Sequence, residues 1–477
     1  ALEHRADSSQ HLQDIHPRPH AGRPGRPDAA PPLVRPAAGA PGARLQVPRL
    51  LVPHRCPRRQ RGARVVPEDG LRPGRLPRRH TTLDAGAQDG PGMGDAAQGR
   101  RALFSKLSVD GFLPAVHAKC AEVCELWRER AAATGGAEQD VHPQLLSWSL
   151  DVFGLVACAH DFEALTCERE SRANPYAAAA KTILSEVTRQ VIFGRLAPLQ
   201  RARVRAFQRA LQLYRSTAET ILRRADEGSS SAAGSLAAKL AALSSSASDR
   251  LPRANVAEEV MGLMIAGHET SSNTSAWAMH LLATHTEVQQ QVRQEVAHLE
   301  LGIATLDQLY ACPLLQGVMY EALRLHPTIP VTARVVPPNA ADIGGHKLPA
   351  GSKLVVNKVC LCNDPVSFPQ PARFDPARFG RGEFGEHGSK LQAFGLGPRM
   401  CVGYRLAEAE VLSLLAHVLR HFELAPGSAP PTESLNVTLQ PKDGLLLRLT
   451  PLGGKGGSGG EGGEGATPPP TLEYVKD

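Results

Sequence analysis

The chain has no run of about 18 consecutive apolar residues, the length a helix needs to cross a bilayer, so no transmembrane helix is expected in it. Residues 1–100 lack more: they contain no Lys, Phe, Tyr, Trp or Asn, while Arg, Pro, Gly and Ala are abundant. Without aromatics a segment buries little core, and its prolines interrupt any apolar periodicity, so residues 1–100 are expected to be disordered. The absent residues have AT-rich codons and the abundant ones GC-rich codons. Two readings follow: a GC-rich gene translated out of frame, or an arginine-rich tail that binds anionic surfaces. Sequencing the transcript across the codon for Phe104 separates them. The first residues show no signal-peptide pattern, and the chain does not begin with Met.

Charge follows the same division. The net charge of +7 invites nucleic acid or anionic membrane as partner, yet residues 1–100 hold 17 arginines against 9 acidic residues, a net of +8. The other 377 residues carry about −1, which excludes a nucleic-acid-binding reading for them. Cysteine spacing excludes zinc sites: neither Cys120 with Cys124 nor Cys360 with Cys362 has a CxxC pattern with flanking partners, and these read as core thiols of a reducing compartment.

Phe394-Gly395-Leu396-Gly397-Pro398-Arg399-Met400-Cys401-Val402-Gly403 is the most informative stretch. Glycines flank one cysteine, an arginine stands two residues before it, and a helical apolar pattern begins at Leu406. Glycines let backbone pass close to a flat ligand, and a helix start favours thiolate over thiol. The simplest competing reading is a buried free cysteine in a glycine loop. The stretch resembles the haem-binding signature of the cytochrome P450 family, whose five fixed positions fall at Phe394, Gly397, Arg399, Cys401 and Gly403. Two further motifs stand in that family's order. Glu321-Ala322-Leu323-Arg324 lies 80 positions before Cys401 and resembles its Glu-x-x-Arg. Ala266-Gly267-His268-Glu269-Thr270-Ser271 falls within a helical pattern from about Asn255 to Thr284.

The resemblance implies heme b (iron protoporphyrin IX), with Cys401 as the iron ligand and Phe394, Gly397, Arg399 and Gly403 shaping its loop. Arg334 and Arg101 are further propionate contacts, although Ala96 and Ala97 stand where the family has a tryptophan before that early arginine. Glu321, Arg324 and Arg378 are implied to form a buried structural network. Glu269 and Thr270 are implied to be the acid–alcohol pair that delivers protons during dioxygen cleavage. An ordinary helix with a polar face is the alternative there. His268 gets no catalytic role, and Gly262 and Gly267 each cost roughly 1 kcal/mol in a helix, for which close approach of a flat ligand is one reason.

The implied activity inserts one atom of dioxygen into an apolar small molecule (lipid, sterol, terpenoid or xenobiotic), with electrons from a reductase or a ferredoxin-type donor. Gly262–Ile265, Thr328–Thr332 and Val437–Leu439 would wall the pocket. Two rivals stay open, a haem-thiolate isomerase or dehydratase and a non-catalytic haem protein or defective gene product. Many eukaryotic relatives carry an N-terminal membrane helix, so association with the endoplasmic reticulum membrane is expected only if such an anchor precedes Ala1.

The expected fold is mainly α with small β-sheets, in three parts: the aberrant segment 1–100, a catalytic domain at 101–450 that is N-terminally incomplete, and a Gly-rich tail at 451–477. Helical spacing covers Gly111–Ala133, Pro143–Leu165 and Ala177–Ala225, and Gly228–Asp249 reads as an exposed connection. Strands are expected at Val331–Val336 and Lys353–Val356. Leu435–Leu449 reads as one hairpin turning near Asp443-Gly444.

Overall fold

The computed structural model describes residues 104–193, 201–227, 235–244, 253–338, 341–343, 345–379 and 390–453. The expected segment 1–100, Arg101 and nearly all of the expected tail lie outside these residues. Helix dominates, and the sheets are small and antiparallel.

The helical body begins with α1 (Lys106–Ala133), started by Ser105, whose hydroxyl accepts from the Ser108 amide at 3.3 Å. Its apolar stripe of Val109, Leu113, Val116, Cys120, Val123 and Trp127 repeats every three to four residues and is fully buried. Then follow β1 (Gln139–Asp140), α2 (His142–Phe153) with a π-helical turn over Gly154–Cys158, α3 (Ala164–Arg169), α4 (Pro175–Phe193), α5 (Arg201–Asp226) and α6 (Leu236–Ser244). The long α7 (Arg253–Thr284) runs through the centre and packs against α2, α5 and α6. Next come α8 (Thr286–Glu295), α9 (Leu306–Tyr310) and α10 (Pro313–Leu325). Glu295 caps α10, its two carboxylate oxygens accepting from the Leu314 and Leu315 amides at 3.0 and 2.9 Å.

After α10 come β2 (Val331–Val335), β3 (Ala341–Ile343), β4 (His346–Leu348), β5 (Lys353–Asn357) and the short α11 (Lys358–Cys362). The chain then reaches α12 (Tyr404–His421), β6 (Phe422–Pro426), β7 (Glu433–Asn436), β8 (Thr438–Pro441) and β9 (Leu446–Pro451). Pairings are β2 with β5, β3 with β4, β7 with β8, and the order β1-β9-β6 in the largest sheet. α10 and α12 both pack on α7, so the helix bearing Glu269 and the one following Cys401 share one core.

Four local expectations are corrected. The single helix expected over Pro143–Leu165 breaks after the π turn, because Ala159 and Glu163 take left-handed φ of 48° and 53° and Asp151 caps the new helix at the Ala164 and Leu165 amides. The connection expected over Gly228–Asp249 contains α6, whose Leu236, Ala237, Leu240 and Ala241 are buried against the core. Leu435–Leu449 is not one hairpin: the tight turn lies at Val437, and β9 leaves to pair with β1 and β6. Asp140 enforces that departure by accepting from the Leu445 amide at 2.8 Å. Finally, Cys360 is exposed, although Cys120, Cys124 and Cys362 are buried as expected.

Candidate haem-thiolate site

The cysteine loop is shaped by its backbone. Gly395 and Gly397 adopt φ of +75° and +73°, a region in which a side chain is strained, and a Cβ on Gly397 would have open space around it. The Gly395 amide donates to Gln392 O at 2.9 Å, Gly397–Arg399 forms a single 3-10 turn, and the Cys401 amide donates to Phe394 O at 2.8 Å. This closed loop presents Cys401, exposed as a residue although protein crowds its sulfur, just before Gly403 caps α12. The Phe394 ring packs between Tyr320 and Tyr404, with centroids at 6.5 and 6.1 Å.

Burial pushes the Cys401 thiol up, opposed by the Gly403 amide and by the ammonium of Lys358. The Gly403 amide at the helix start favours the thiolate in the expected direction, desolvation outweighs it, and a bonded metal would supply the missing stabilisation. Lys358 was not foreseen from sequence. It is buried, donates to Ala393 O at 3.1 Å, and is held below the usual lysine range by burial, with the Arg334 charge adding to the effect. No pattern marks a lysine that reaches back into a loop 35 residues later. Arg334 itself is exposed on β2, and Arg399 is half-buried on the 3-10 turn.

Glu321 and Arg324 are both fully buried on α10, with Arg324 Nε 2.6 Å and Nη2 3.0 Å from the carboxylate. Arg324 also donates to Cys362 O, Pro371 O and Arg373 O at 3.1, 2.6 and 3.0 Å. Glu321 accepts from the Asp375 amide at 2.8 Å, and Arg378 Nε lies 3.6 Å from Glu321 Oε1. These three residues thus tie α10 to the irregular chain between α11 and the cysteine loop. Glu408 on α12, also missed from sequence, bonds the hydroxyls of Tyr310 and Tyr320 and links the same region to α9 and α10.

On α7, the Thr270 hydroxyl donates to Ala266 O at 2.9 Å, one turn back. Ala266 is exposed in the middle of this otherwise central helix, so this turn borders an opening. Glu269 is buried, Thr438 lies near enough to favour its charged form, and its Oε2 has no hydrogen-bond partner. Burial pushes the Glu269 carboxyl up to about 7. Ser271, two residues on, is buried near Glu410 of α12, whose two carboxylate oxygens have no hydrogen-bond partner. Gly267 has another purpose than the one expected: a Cβ there would lie 2.2 Å from the Phe153 ring, so the glycine admits α2 and not a flat ligand. His268 is buried with its ring on Met264 O, and burial holds it down to about 4. A cavity of about 350 Å³ opens between α4 and α5, lined by Lys181, Thr182, Ser185, Glu186 and Arg203, and Asn436 of β7 donates to Ser185 on its wall at 3.4 Å.

The donor set indicates what these residues can hold. Among the described residues no group of three His, Cys, Asp or Glu could bind a metal ion. A single soft sulfur on a glycine loop suits a metal whose other bonds come from its own macrocycle, and guanidinium groups suit that macrocycle's carboxylates. The residues fit a haem.

A family model for cytochrome P450 matches residues 94–448, about three quarters of the chain. The chain therefore belongs to the cytochrome P450 family, and membership implies a haem cofactor. Among curated proteins it is similar to cytochrome P450 4d2 of Drosophila melanogaster, 32% identical over 201 residues (41% of this chain, 40% of the relative). It is 35% identical over 207 residues to the mitochondrial 25-hydroxyvitamin D-1 alpha hydroxylase of Homo sapiens (42% and 40%). It is 34% identical over 218 residues to the cytochrome P450 monooxygenase sphH of Aspergillus fumigatus (42% and 39%). The matches span about two fifths of the length of these relatives. Among the described residues no helix is long and apolar enough to cross a membrane.

Proposed function

We propose that this chain carries the catalytic domain, over residues 101–450, of a monooxygenase that binds heme b through Cys401 and inserts one atom of dioxygen into an apolar small molecule. The observation that carries the reading is Cys401 on a positive-φ glycine loop at the start of α12, with the Lys358 charge acting on its sulfur. Two relatives whose names are a hydroxylase and a monooxygenase support it.

When bound, haem supplies the redox chemistry on dioxygen. The chain's residues do the rest. Cys401 would hold the iron as a thiolate. Gly397 and Gly403 keep side chains out of its way, and Phe394 limits water at the sulfur. Arg399 and Arg334 hold the propionates, a role given also to Arg101. Thr270 places its hydroxyl on the open side of α7, and Glu269, near half-protonated at neutral pH, can release and regain a proton at Oε2. Glu321, Arg324 and Arg378 hold the segment that leads into the cysteine loop. Apolar walls at Leu263, Ile265, Ile329, Val331, Val437 and Leu439 suit a lipid, sterol, terpenoid or xenobiotic. Electrons come from a reductase or ferredoxin-type donor whose acidic face meets Arg405 and Lys390; Arg381, a third candidate, lies outside the described residues. The acid–alcohol pair favours this reading over a haem-thiolate isomerase.

The test is coupling. Supplied with a flavin reductase and dodecanoic acid as probe substrate, Thr270→Ala should divert electrons to hydrogen peroxide, lowering product per electron by about tenfold or more. Unchanged coupling would remove Thr270 from the relay.

A further inference from the structure

The hairpin of β7 and β8 pairs with no other strand among the described residues. A lone hairpin is marginally stable in water, so its place is set by what grips it from outside. β8 is gripped along its backbone: Trp277 Nε1 donates to Leu439 O at 3.3 Å, and the Leu439 amide donates to Thr328 O at 2.9 Å. Asn273 Nδ2 donates to the buried Thr438 hydroxyl at 3.2 Å. β7 is the outer strand, its side chains alternating between exposed and half-buried. Two of them reach the helical body, Asn436 to Ser185 of α4 at 3.4 Å and Glu433 to His326 at 2.7 Å. Between these anchors Val437 turns the chain at φ 66°, a conformation rare for a β-branched residue, so the hairpin is held against its own preference.

The shorter anchor is built by local sequence. His326 follows the last residue of α10 and precedes Pro327, which disfavours helical backbone at His326 and ends the helix there. The imidazole lies flat on Trp277 of α7, the two rings stacked 4.1 Å apart at 10°. A carboxylate only accepts, so His326 carries a proton on Nδ1 and donates it to Glu433 Oε1. Trp277 is buried, and its own N–H is the donor to Leu439 O. One indole thus holds β8 through its nitrogen and β7 through the ring stacked on its face. The side chains of His326 and Glu433 are 20% and 48% exposed, so their bond adds little to global stability and acts on position instead.

We propose that His326 and Glu433, with Trp277 as their platform, are positioning residues: they fix the β7–β8 hairpin against α7 and so determine which carbon of the substrate is oxidised. This deepens the monooxygenase reading and rests on its assignment of Val437 and Leu439 to the pocket wall. The hairpin touches two relevant places. Asn273, which meets Thr438, lies one turn beyond Thr270 on α7, and Ser185, which meets Asn436, lines the cavity between α4 and α5.

The experiment uses the full-length, haem-loaded protein with two readouts: hydrogen exchange of the β7 and β8 amides, and the positions hydroxylated in dodecanoic acid as probe substrate. His326→Phe keeps a ring for Trp277 and loses the Nδ1 donor, Glu433→Ala loses the acceptor, and Glu433→Gln keeps one at Oε1. His326→Phe and Glu433→Ala should each speed hairpin exchange about threefold or more, raise KM by a similar factor with kcat changed less, and alter the ratio of product positions. The two combined should do no more than either alone, because they break one bond. Glu433→Gln should restore both readouts, with every melting temperature within about 2 °C of the parent. Parent-like exchange in His326→Phe and Glu433→Ala, additive effects in the combined variant, or faster exchange with an unaltered product ratio would each overturn the proposal. A parent that takes up no haem would strike the monooxygenase reading, and hydrogen exchange would still report whether the clasp holds the hairpin, so the two failures are told apart.

Discussion

Replacing Glu321 by Gln removes one charge and almost no volume from a pair in which neither side chain is exposed. Arg324 would keep three carbonyl acceptors but lose the counter-charge at 2.6 and 3.0 Å. Arg378, 3.6 Å away, would lose the same partner. The new amide also brings a donor to a position that must accept both from Arg324 and from the Asp375 amide. Leaving a buried charge without its partner costs about 3–5 kcal/mol, against a total stability of about 5–15 kcal/mol for a typical domain. The melting temperature should fall on the order of 5–10 °C, read by circular dichroism, and haem retention should fall with it. Glu321→Leu combined with Arg324→Met removes both charges and should cost much less than Glu321→Gln with Arg324 in place. A Glu321→Gln protein melting within about 2 °C of the parent would refute the view that this pair is an obligatory buried unit.

Other perturbations have equally definite directions. Burial pushes Glu410 up to about 8, so the folded chain binds more protons than the unfolded one from pH 4.5 to that value, and stability falls as pH rises through the interval. Glu410→Gln should match the parent near pH 5 and exceed it near pH 8 by up to ~4 kcal/mol in urea denaturation. Burial holds His417 down to about 3, so its share of stability is lost as pH falls from the ordinary histidine range toward that value. Its Nε2–H donates to His117 Nδ1 at 3.2 Å, since His117 Nε2 must donate to Ala304 O; His417→Gln should flatten the acid limb of the stability profile. Val437→Asn tolerates the φ of 66° and should raise stability by about 0.5–1 kcal/mol, whereas a loss above that size would show that valine is held there by its packing.

Legibility in the sequence tracked how strictly local chemistry constrains residue type. The cysteine loop could be read because positive-φ backbone just before Cys401 demands glycine at Gly395 and Gly397. The spacing of Glu321 and Arg324 could be read because three residues make one helical turn. Long elements such as α1 and α7 announced themselves by periodicity, and α6 did not, since four small or aliphatic contacts in nine residues look like a linker rich in Ser and Ala. Lys358 and Glu408 could not be found: each acts on a partner at least 35 residues away, and nothing local marks it. Gly267 was noticed for the right reason, close approach, but the approaching group is Phe153. The last hairpin was misplaced because Asp443-Gly444 carries a stronger turn signature than Val437, and the carboxylate of Asp140, some 300 residues earlier, decides the path instead.

Sulfur–iron bonding at position 401 is tested most directly by the absorption spectrum of the reduced, carbon monoxide-treated protein, in the parent and in Cys401→Ala. The parent should show the strongly red-shifted Soret band of a thiolate-bonded haem, and the variant should lose it. A parent that takes up no haem, or a variant whose band keeps the same position and intensity, would contradict the assignment.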